Sequence, residues 1–112
     1  MLMHELTIMK NVVSICEQNA AGSRVTSVTL DVGELSGIVP GALEFCFDSC
    51  TKGTLLEGAS LKIIIIEPQV RCNGCKALFG ARAYHDSCPE CGGFDIEILF
   101  GEELRVKELE VV

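Results

Sequence analysis

The sequence predicts an α+β fold, in which a small mixed sheet packs against two helices and carries an inserted cysteine-rich module. Two stretches have apolar residues at helical spacing, four have the pattern of strands, and two CxxC pairs stand between the second and third strands. The predicted domains are residues 1–69 plus 95–112, and the module at residues 70–94. The crossings at residues 68–69 and 92–93 are predicted hinges, because few residues tie the module to the sheet.

The helices are recognised by the period of their apolar residues. Residues 5–21 place apolar side chains three and four positions apart, and Gly22 follows as a C-terminal cap. Pro40 opens the second helix at a first-turn position, and Gly53 ends it. The three cysteines outside the CxxC pairs fall on these apolar faces and are predicted to be core thiols: Cys16, Cys46 and Cys50.

The predicted strands differ in how their faces are buried. Residues 25–32 alternate between apolar and polar, which predicts a half-buried strand. Residues 61–66 are apolar on both faces and are therefore predicted to be central in the sheet. Residues 95–100 alternate again, and residues 104–112 form the last strand, in which a slip of the alternation predicts a β-bulge.

The cysteine-rich module reads Cys72-Asn-Gly-Cys75, then twelve residues, then Cys88-Pro-Glu-Cys91. Two CxxC pairs at this separation are typical of a zinc ribbon, in which four thiolates bind Zn²⁺ tetrahedrally. Such a site is structural, because no coordination position stays open for a substrate or water. Two disulfides or two redox-active dithiols are the alternative interpretation of the same residues.

Charge and composition limit the functional classes. The net charge of −7 argues against nucleic acid as a partner, because phosphate binding needs concentrated Lys and Arg. No run approaches the ~20 apolar residues of a membrane span. Seven cysteines without an export signal predict the cytoplasm. We predict no enzyme, because the sequence has no Ser-His-Asp grouping, open metal site or phosphate-cradling loop.

A second candidate metal site lies at the start of the chain, where His4 stands beside Glu5. An imidazole next to backbone amides suits a square-planar nitrogen site for Ni(II) or Cu(II). A solvated histidine at a frayed chain end is the simpler interpretation of the residue taken alone. Glu34, in the loop before the second helix, is a weaker candidate, and a solvated loop acid is its simpler interpretation.

Three motifs occur together and in order: Met3-His4-Glu5-Leu6, Gly33-Glu-Leu-Ser-Gly-Ile-Val-Pro40, and the two CxxC pairs. In this combination, over nearly the whole chain, the sequence resembles the HypA/HybF family of nickel metallochaperones. The resemblance implies a three-stranded sheet with two helices joined to a zinc domain. It implies delivery of Ni(II) to the [NiFe]-hydrogenase large subunit, a nickel-binding maturation GTPase as partner and, in some organisms, service to urease.

The resemblance also implies roles for individual residues. His4 matches the nickel-binding histidine, and Glu5 matches the acidic residue beside it, a candidate ligand or supporting group. Met3 matches the residue whose backbone can join the nickel site. The zinc ligands of the family are matched by Cys72, Cys75, Cys88 and Cys91.

Two departures from the family pattern affect these expectations. The family's histidine is normally residue two, whereas Met1 and Leu2 precede Met3 here, so that a retained start makes the Met3 nitrogen an amide. Some relatives place histidines beside the zinc ligands, whereas His85 is predicted to be a loop residue and no ligand. The alternative function is a zinc-ribbon docking module without nickel delivery, which predicts no specific nickel binding at His4.

Overall fold

The computed structural model describes the backbone of residues 2–80 and 86–112, with side chains from residue 4 onward in those ranges. The predicted class is confirmed. The helices and strands are α1 (Leu2–Ala20), β1 (Val25–Gly33), α2 (Pro40–Thr51), β2 (Ser60–Ile66), β3 (Gln69–Cys72), β4 (Leu78–Phe79), β5 (Ile96–Phe100) and β6 (Leu104–Val111). Neither described helix is long and apolar enough to cross a lipid bilayer.

The helices pack on a three-stranded sheet in the order β2-β1-β6. β1 pairs in parallel with β2 and antiparallel with β6, and its alternate residues Val28, Leu30 and Val32 are buried in the core with the helices. The core face of this strand was predicted, but the prediction that it is half-buried is wrong, because Thr29 and Asp31 on its other face are only 6% and 2% exposed. The prediction that residues 61–66 are central is also wrong, because β1 is the central strand and β2 is an edge strand. A run of apolar residues indicates that both faces of a strand are in contact with other residues. It does not indicate whether one or two other strands pair with it.

β6 contains the predicted bulge. Thr29 pairs with Glu108 and the next residue of β1, Leu30, pairs with Val106, so Lys107 is the extra residue. The bulge changes which β6 residues share a face, so Val106 and Leu109 both pack against the core although they are three positions apart.

The other three strands form a second sheet in the order β4-β3-β5. β5 pairs antiparallel with β3, with Cys72 opposite Ile96 and Gln69 opposite Phe100. The sequence analysis placed residues 95–100 with the helices, whereas β5 lies in the sheet that holds the first CxxC pair. Alternation identifies a strand, but it does not identify the partner of that strand.

Two connectors join the sheets, residues 67–68 after β2 and residues 101–103 after β5. The first lies where a crossing was predicted. The predicted crossing at residues 92–93 is wrong, because Gly92 belongs to the turn of the second CxxC pair, where its N–H donates to the Cys88 carbonyl. The second crossing is instead the connector at residues 101–103, which has the sequence Gly-Glu-Glu.

The connectors are fastened to each other and to the loop after β1. The Gly33 N–H donates to the Glu103 carbonyl and the Leu35 N–H to the Gly101 carbonyl, each at 2.7 Å. Gly101 has a φ of 114°, and a Cβ there would lie 2.8 Å from the Pro68 Cα. We call these five residues the clasp. It joins the two sheets through backbone contacts and hydrogen bonds, in addition to the covalent connectors.

α1 runs antiparallel to β1, which brings its N-terminus to the clasp. Near the C-terminal end of α1, Glu17 accepts from the Leu55 N–H, and the Leu55 carbonyl accepts from Val25 at the start of β1. Near the other end, Ile8 lines a cavity with Leu104, which pairs with the end of β1. The first turn of α1, one turn before Ile8, therefore lies at the clasp end of the sheet.

Candidate metal centres

Two turns of the same form bring the four CxxC cysteines together. The Lys76 N–H donates to the Cys72 carbonyl at 2.8 Å, and the Gly92 N–H donates to the Cys88 carbonyl at the same distance. Lys76 and Gly92 both have positive φ, 67° and 73°. Each turn reverses the chain directly after the second cysteine of its pair, so both thiols of a pair reach one centre.

The four sulfur atoms form one cluster, in which all lie within 4.8 Å of one another. The Cys72 and Cys91 sulfurs are 3.6 Å apart, and so are those of Cys75 and Cys88. Sulfurs about 2.3 Å from a zinc ion at the corners of a tetrahedron are about 3.8 Å apart. The spacing therefore fits a four-thiolate metal site, and all four cysteines are free rather than joined in disulfides.

Backbone N–H groups favour the thiolate form, and the neighbouring thiols favour it at Cys72 but oppose it at Cys75. Hydrogen bonds from the Cys75 N–H, the Cys91 thiol and the Gly74 N–H lower the pKa of Cys72 to about 7, although desolvation opposes this shift. The N–H of Ala77 likewise lowers the pKa of Cys75, but the Cys88 thiol, desolvation and the other thiols raise it to about 12. A fully deprotonated cluster therefore needs a cation at its centre.

The first turn of α1 holds the residues of the second candidate site. The predicted helix start at residue 5 is corrected to Leu2, so His4 lies inside the helix, with an exposed side chain. The side chain of Glu5 is 0% exposed, and neither carboxylate oxygen has a hydrogen-bond partner in the described part of the chain. The backbone N–H groups of Met3 and His4 have no acceptor within the helix, because they belong to its first turn.

The burial of Glu5 was not predicted from the sequence. The signal was present, because Glu5 precedes the buried Met9 by four residues and therefore lies on the same side of α1 as the core stripe. A buried carboxylate without a partner is destabilising, so its presence beside His4 favours a ligand-binding role for this turn.

Replacing Glu5 by methionine is expected to raise the free energy of unfolding of nickel-free protein by about 1–3 kcal/mol, because a buried polar group without a hydrogen-bond partner is exchanged for an apolar side chain of similar length. Urea unfolding of the zinc-loaded protein measures the change. The matched control is Glu44→Met on the exposed side of α2, which is expected to change stability by less than about 0.5 kcal/mol. A loss of stability in Glu5→Met would mean that a favourable contact holds the carboxylate.

The structure keeps the two candidate sites apart. Within residues 2–80 and 86–112, the cysteine cluster is the one group of three or more His, Cys, Asp or Glu residues placed to hold a metal, and it includes neither His4 nor Glu5. Glu34 lies in a 3-10 turn, Glu34–Ser36, at the clasp end of β1. His85 lies outside the described residues.

Comparison with known proteins gives one consistent result. A family model described as "Hydrogenase/urease nickel incorporation, metallochaperone, hypA" matches residues 3–111. The chain is 58% identical over 109 residues to a hydrogenase maturation factor HypA from Geotalea uraniireducens, covering 97% of this chain and 99% of that protein. The identity to the corresponding factor of Geobacter sulfurreducens is 53%, with the same coverage.

Two solved structures have the same fold. The solution structure of a HypA protein matches with a TM-score of 0.73 and 23% identity, over 98% of this chain and 97% of that chain. The solution structure of the Ni metallochaperone HypA from Helicobacter pylori matches with a TM-score of 0.69 and 21% identity, over 96% and 97% of the two chains.

Proposed function

The chain belongs to the HypA family, and we propose on this premise that it carries Ni(II) for the maturation of [NiFe]-hydrogenase, with a zinc ion held permanently in its ribbon. The observation that supports this most directly is the first turn of α1. It combines the exposed His4 imidazole, first-turn amides and the buried, unpartnered carboxylate of Glu5.

We assign zinc to the cluster of Cys72, Cys75, Cys88 and Cys91. Four soft thiolates at tetrahedral spacing suit this ion, which would stabilise the ribbon and neutralise the thiolates. A closed site of this kind does not release its metal readily, because an incoming ligand finds no vacant position. Zinc is therefore the resident ion, and the cargo binds elsewhere.

We assign nickel to the start of α1. The imidazole and amide nitrogens of His4, the backbone nitrogen of Met3 and a carboxylate oxygen of Glu5 are the candidate donors, and nitrogen donors suit square-planar Ni(II). The positive end of the helix dipole favours the negative carboxylate and deprotonated amides at this position. Because few protein groups hold the ion at one exposed turn, an acceptor can replace them stepwise.

The two metals are proposed to lie on separate units. The nickel unit is the sheet β2-β1-β6 with both helices, and the zinc unit is the sheet β4-β3-β5. Compared with the predicted module at residues 70–94, this division adds Gln69 of β3 and the whole of β5 to the zinc unit.

The proposed partners are a nickel-binding maturation GTPase and the hydrogenase large subunit. The chain itself is proposed to catalyse no reaction and to act in the cytoplasm. A reducing compartment suits it, because Cys16 and Cys46 are buried free thiols in addition to the ribbon cysteines.

A calorimetric titration with Ni(II) tests this function, using zinc-loaded protein whose N-terminus is defined by mass spectrometry. One nickel ion per chain is expected at micromolar or tighter affinity. His4→Ala is expected to weaken nickel binding on the order of a hundredfold or more, because the imidazole ligand of the nickel ion is lost. Zinc content should stay the same.

The matched control is His85→Ala, which removes the only other histidine of the chain and is expected to leave nickel affinity unchanged. Equal nickel binding by the parent protein and His4→Ala would remove the N-terminal site. That result would favour the zinc-ribbon docking module as the function.

A further inference from the structure

Two cavities flank Phe100 beside the clasp, and neither contains a residue of the proposed metal sites. The larger has a volume of about 460 Å³ and lies where the end of β2, the first connector and β4 meet. The smaller has a volume of about 250 Å³ and lies between the end of β5 and the second connector. Phe100 lines both, so the two cavities adjoin at this side chain, and we call them together the clasp groove.

The walls of the clasp groove expose a concentration of apolar surface. Leu78 is 59% exposed, Phe100 50% and Leu99 37%, and all three line the groove. Ile66 and Phe79 add further apolar surface to the larger cavity. Single exposed apolar residues are ordinary, but several around one concavity are typical of a surface that binds another molecule.

Among the described lining residues of the groove, the charged ones all have one sign. Glu67 lines the larger cavity, and Glu102 and Glu103 line the smaller one. No Lys or Arg is among the described lining residues of either cavity. One carboxylate oxygen of Glu103 accepts from the Gly101 N–H at 2.6 Å, which fixes this acidic group at the edge of the groove.

We propose that the clasp groove binds an extended segment of a partner protein in which apolar side chains alternate with Lys or Arg. The apolar side chains would fill the cavities on either side of Phe100, and the basic groups would meet the three glutamates. Charge complementarity selects this occupant over a second copy of the same chain, whose net charge is −7.

The clasp groove lies near the proposed nickel site, which suggests a role for partner binding in nickel transfer. This role rests on the proposed function. The Gly33–Glu103 and Leu35–Gly101 hydrogen bonds join the groove to the loop after β1, and the first turn of α1 lies at that end of the sheet. A partner segment in the groove would therefore hold the partner next to the nickel site during transfer. Such tethering raises the effective concentration of the acceptor without adding a nickel ligand.

The direct test is an NMR titration of ¹⁵N-labelled, zinc-loaded, nickel-free protein with a short synthetic peptide that alternates Lys with Leu and Phe. Shifts are expected at the amides of residues 67, 69, 78–80 and 98–103, with affinity falling as salt is raised. Two comparison peptides carry Glu in place of Lys, or Gly in place of Leu and Phe. Both are expected to bind at least about tenfold more weakly, because one loses the charge attraction to the glutamates and the other loses the apolar contacts with the cavities. Equal binding of the three peptides, or shifts confined to other surfaces, would overturn the proposal.

Single and double substitutions in the clasp groove show which side chains contribute to peptide binding. Phe100→Ala and, separately, the double variant Glu67→Gln with Glu102→Gln are expected to weaken the Lys-containing peptide about tenfold or more. Phe94→Ala is the matched control, because Phe94 is 74% exposed near the same ribbon and lines neither cavity. If Phe100→Ala disturbs the ribbon spectrum, Leu78→Ser replaces it, since this side chain is more exposed.

The outcomes separate this proposal from the proposed function. Weakened peptide binding by Phe100→Ala with an unchanged Ni(II) titration would support the clasp groove. Nickel binding through His4 in a protein that binds none of the peptides would overturn the groove and leave the nickel function standing. Groove signals that shift with protein concentration alone would mean that a second copy occupies it, which also overturns the proposal.

Discussion

Replacing Cys72 by serine is expected to unfold the ribbon while the sheet under the helices stays folded. Between residues 69 and 100, the buried side chains in the described part of the chain are Val70, Cys72 and Cys88. With one buried aliphatic side chain, this unit cannot offset the entropy of ordering its backbone. On the proposed assignment, zinc and its four ligands would act as its core, and structural zinc sites supply about 10–16 kcal/mol of apparent binding free energy.

The measurement is the dispersion of amide NMR signals, followed unit by unit. In Cys72→Ser, or after a strong chelator, the signals of β3, β4 and β5 are expected to collapse toward random-coil positions, while those of β1 and β2 keep their dispersion. The control is Cys50→Ser, a half-buried thiol of α2 outside the cluster, which should leave the ribbon signals in place. A ribbon that keeps its dispersion without metal would contradict the assignment of the cysteine cluster as its core.

Gly33→Ala is expected to lower the free energy of unfolding by about 3 kcal/mol or more. A Cβ at this position would lie 2.2 Å from the carbonyl carbon and oxygen of Gly101 and 2.7 Å from the Glu102 nitrogen. These are backbone atoms, so no side chain can rotate away to relieve the overlap. The φ of Gly33 is −71°, which any residue adopts, so the loss comes from lack of space and not from backbone conformation.

Urea unfolding measures this loss, and Gly41→Ala is its matched control. Nothing lies within 4 Å of a Cβ on Gly41, in the first turn of α2, so alanine there should be neutral or stabilising by up to about 1 kcal/mol. The clasp must open to admit the methyl group that Gly33→Ala adds, so the radius of gyration from small-angle scattering should also rise above that of the parent protein. Equal stability of Gly33→Ala and the parent would show that the connectors separate at little cost.

Structural features that depend on residues close in the sequence could be predicted. Features that depend on contacts between segments far apart in the sequence could not. The core face of β1, the bulge at Lys107 and the start of α2 at Pro40 follow from local period and turn chemistry. The four-cysteine cluster follows from spacing, because two CxxC turns impose their own geometry. At the other candidate site, the sequence identified His4 and Glu5 but not the burial of Glu5.

The pairing of the strands and the contacts of the clasp could not be predicted from local sequence patterns. The edge position of β2 and the pairing of β5 with β3 depend on which distant segment competes best for each backbone. The clasp joins Gly33, Pro68 and Gly101, which are far apart in the chain, and each alone has the appearance of an ordinary turn residue. Their common role appears only when the three backbones meet.

The insertion of the ribbon ahead of β6 sets an order of events during protein synthesis. The sheet is complete only when β6 reaches β1, as in the contact of Arg105 with Asp31 across 74 residues of sequence. The four ribbon thiols leave the ribosome before β6 does, and a metal that joins them shortens the loop that must close, which lowers its entropic cost. On the proposed metal assignments, zinc taken up on the nascent chain is expected to hasten completion of the nickel-binding half. A cell short of zinc is then expected to lose nickel-carrying capacity even with nickel in excess.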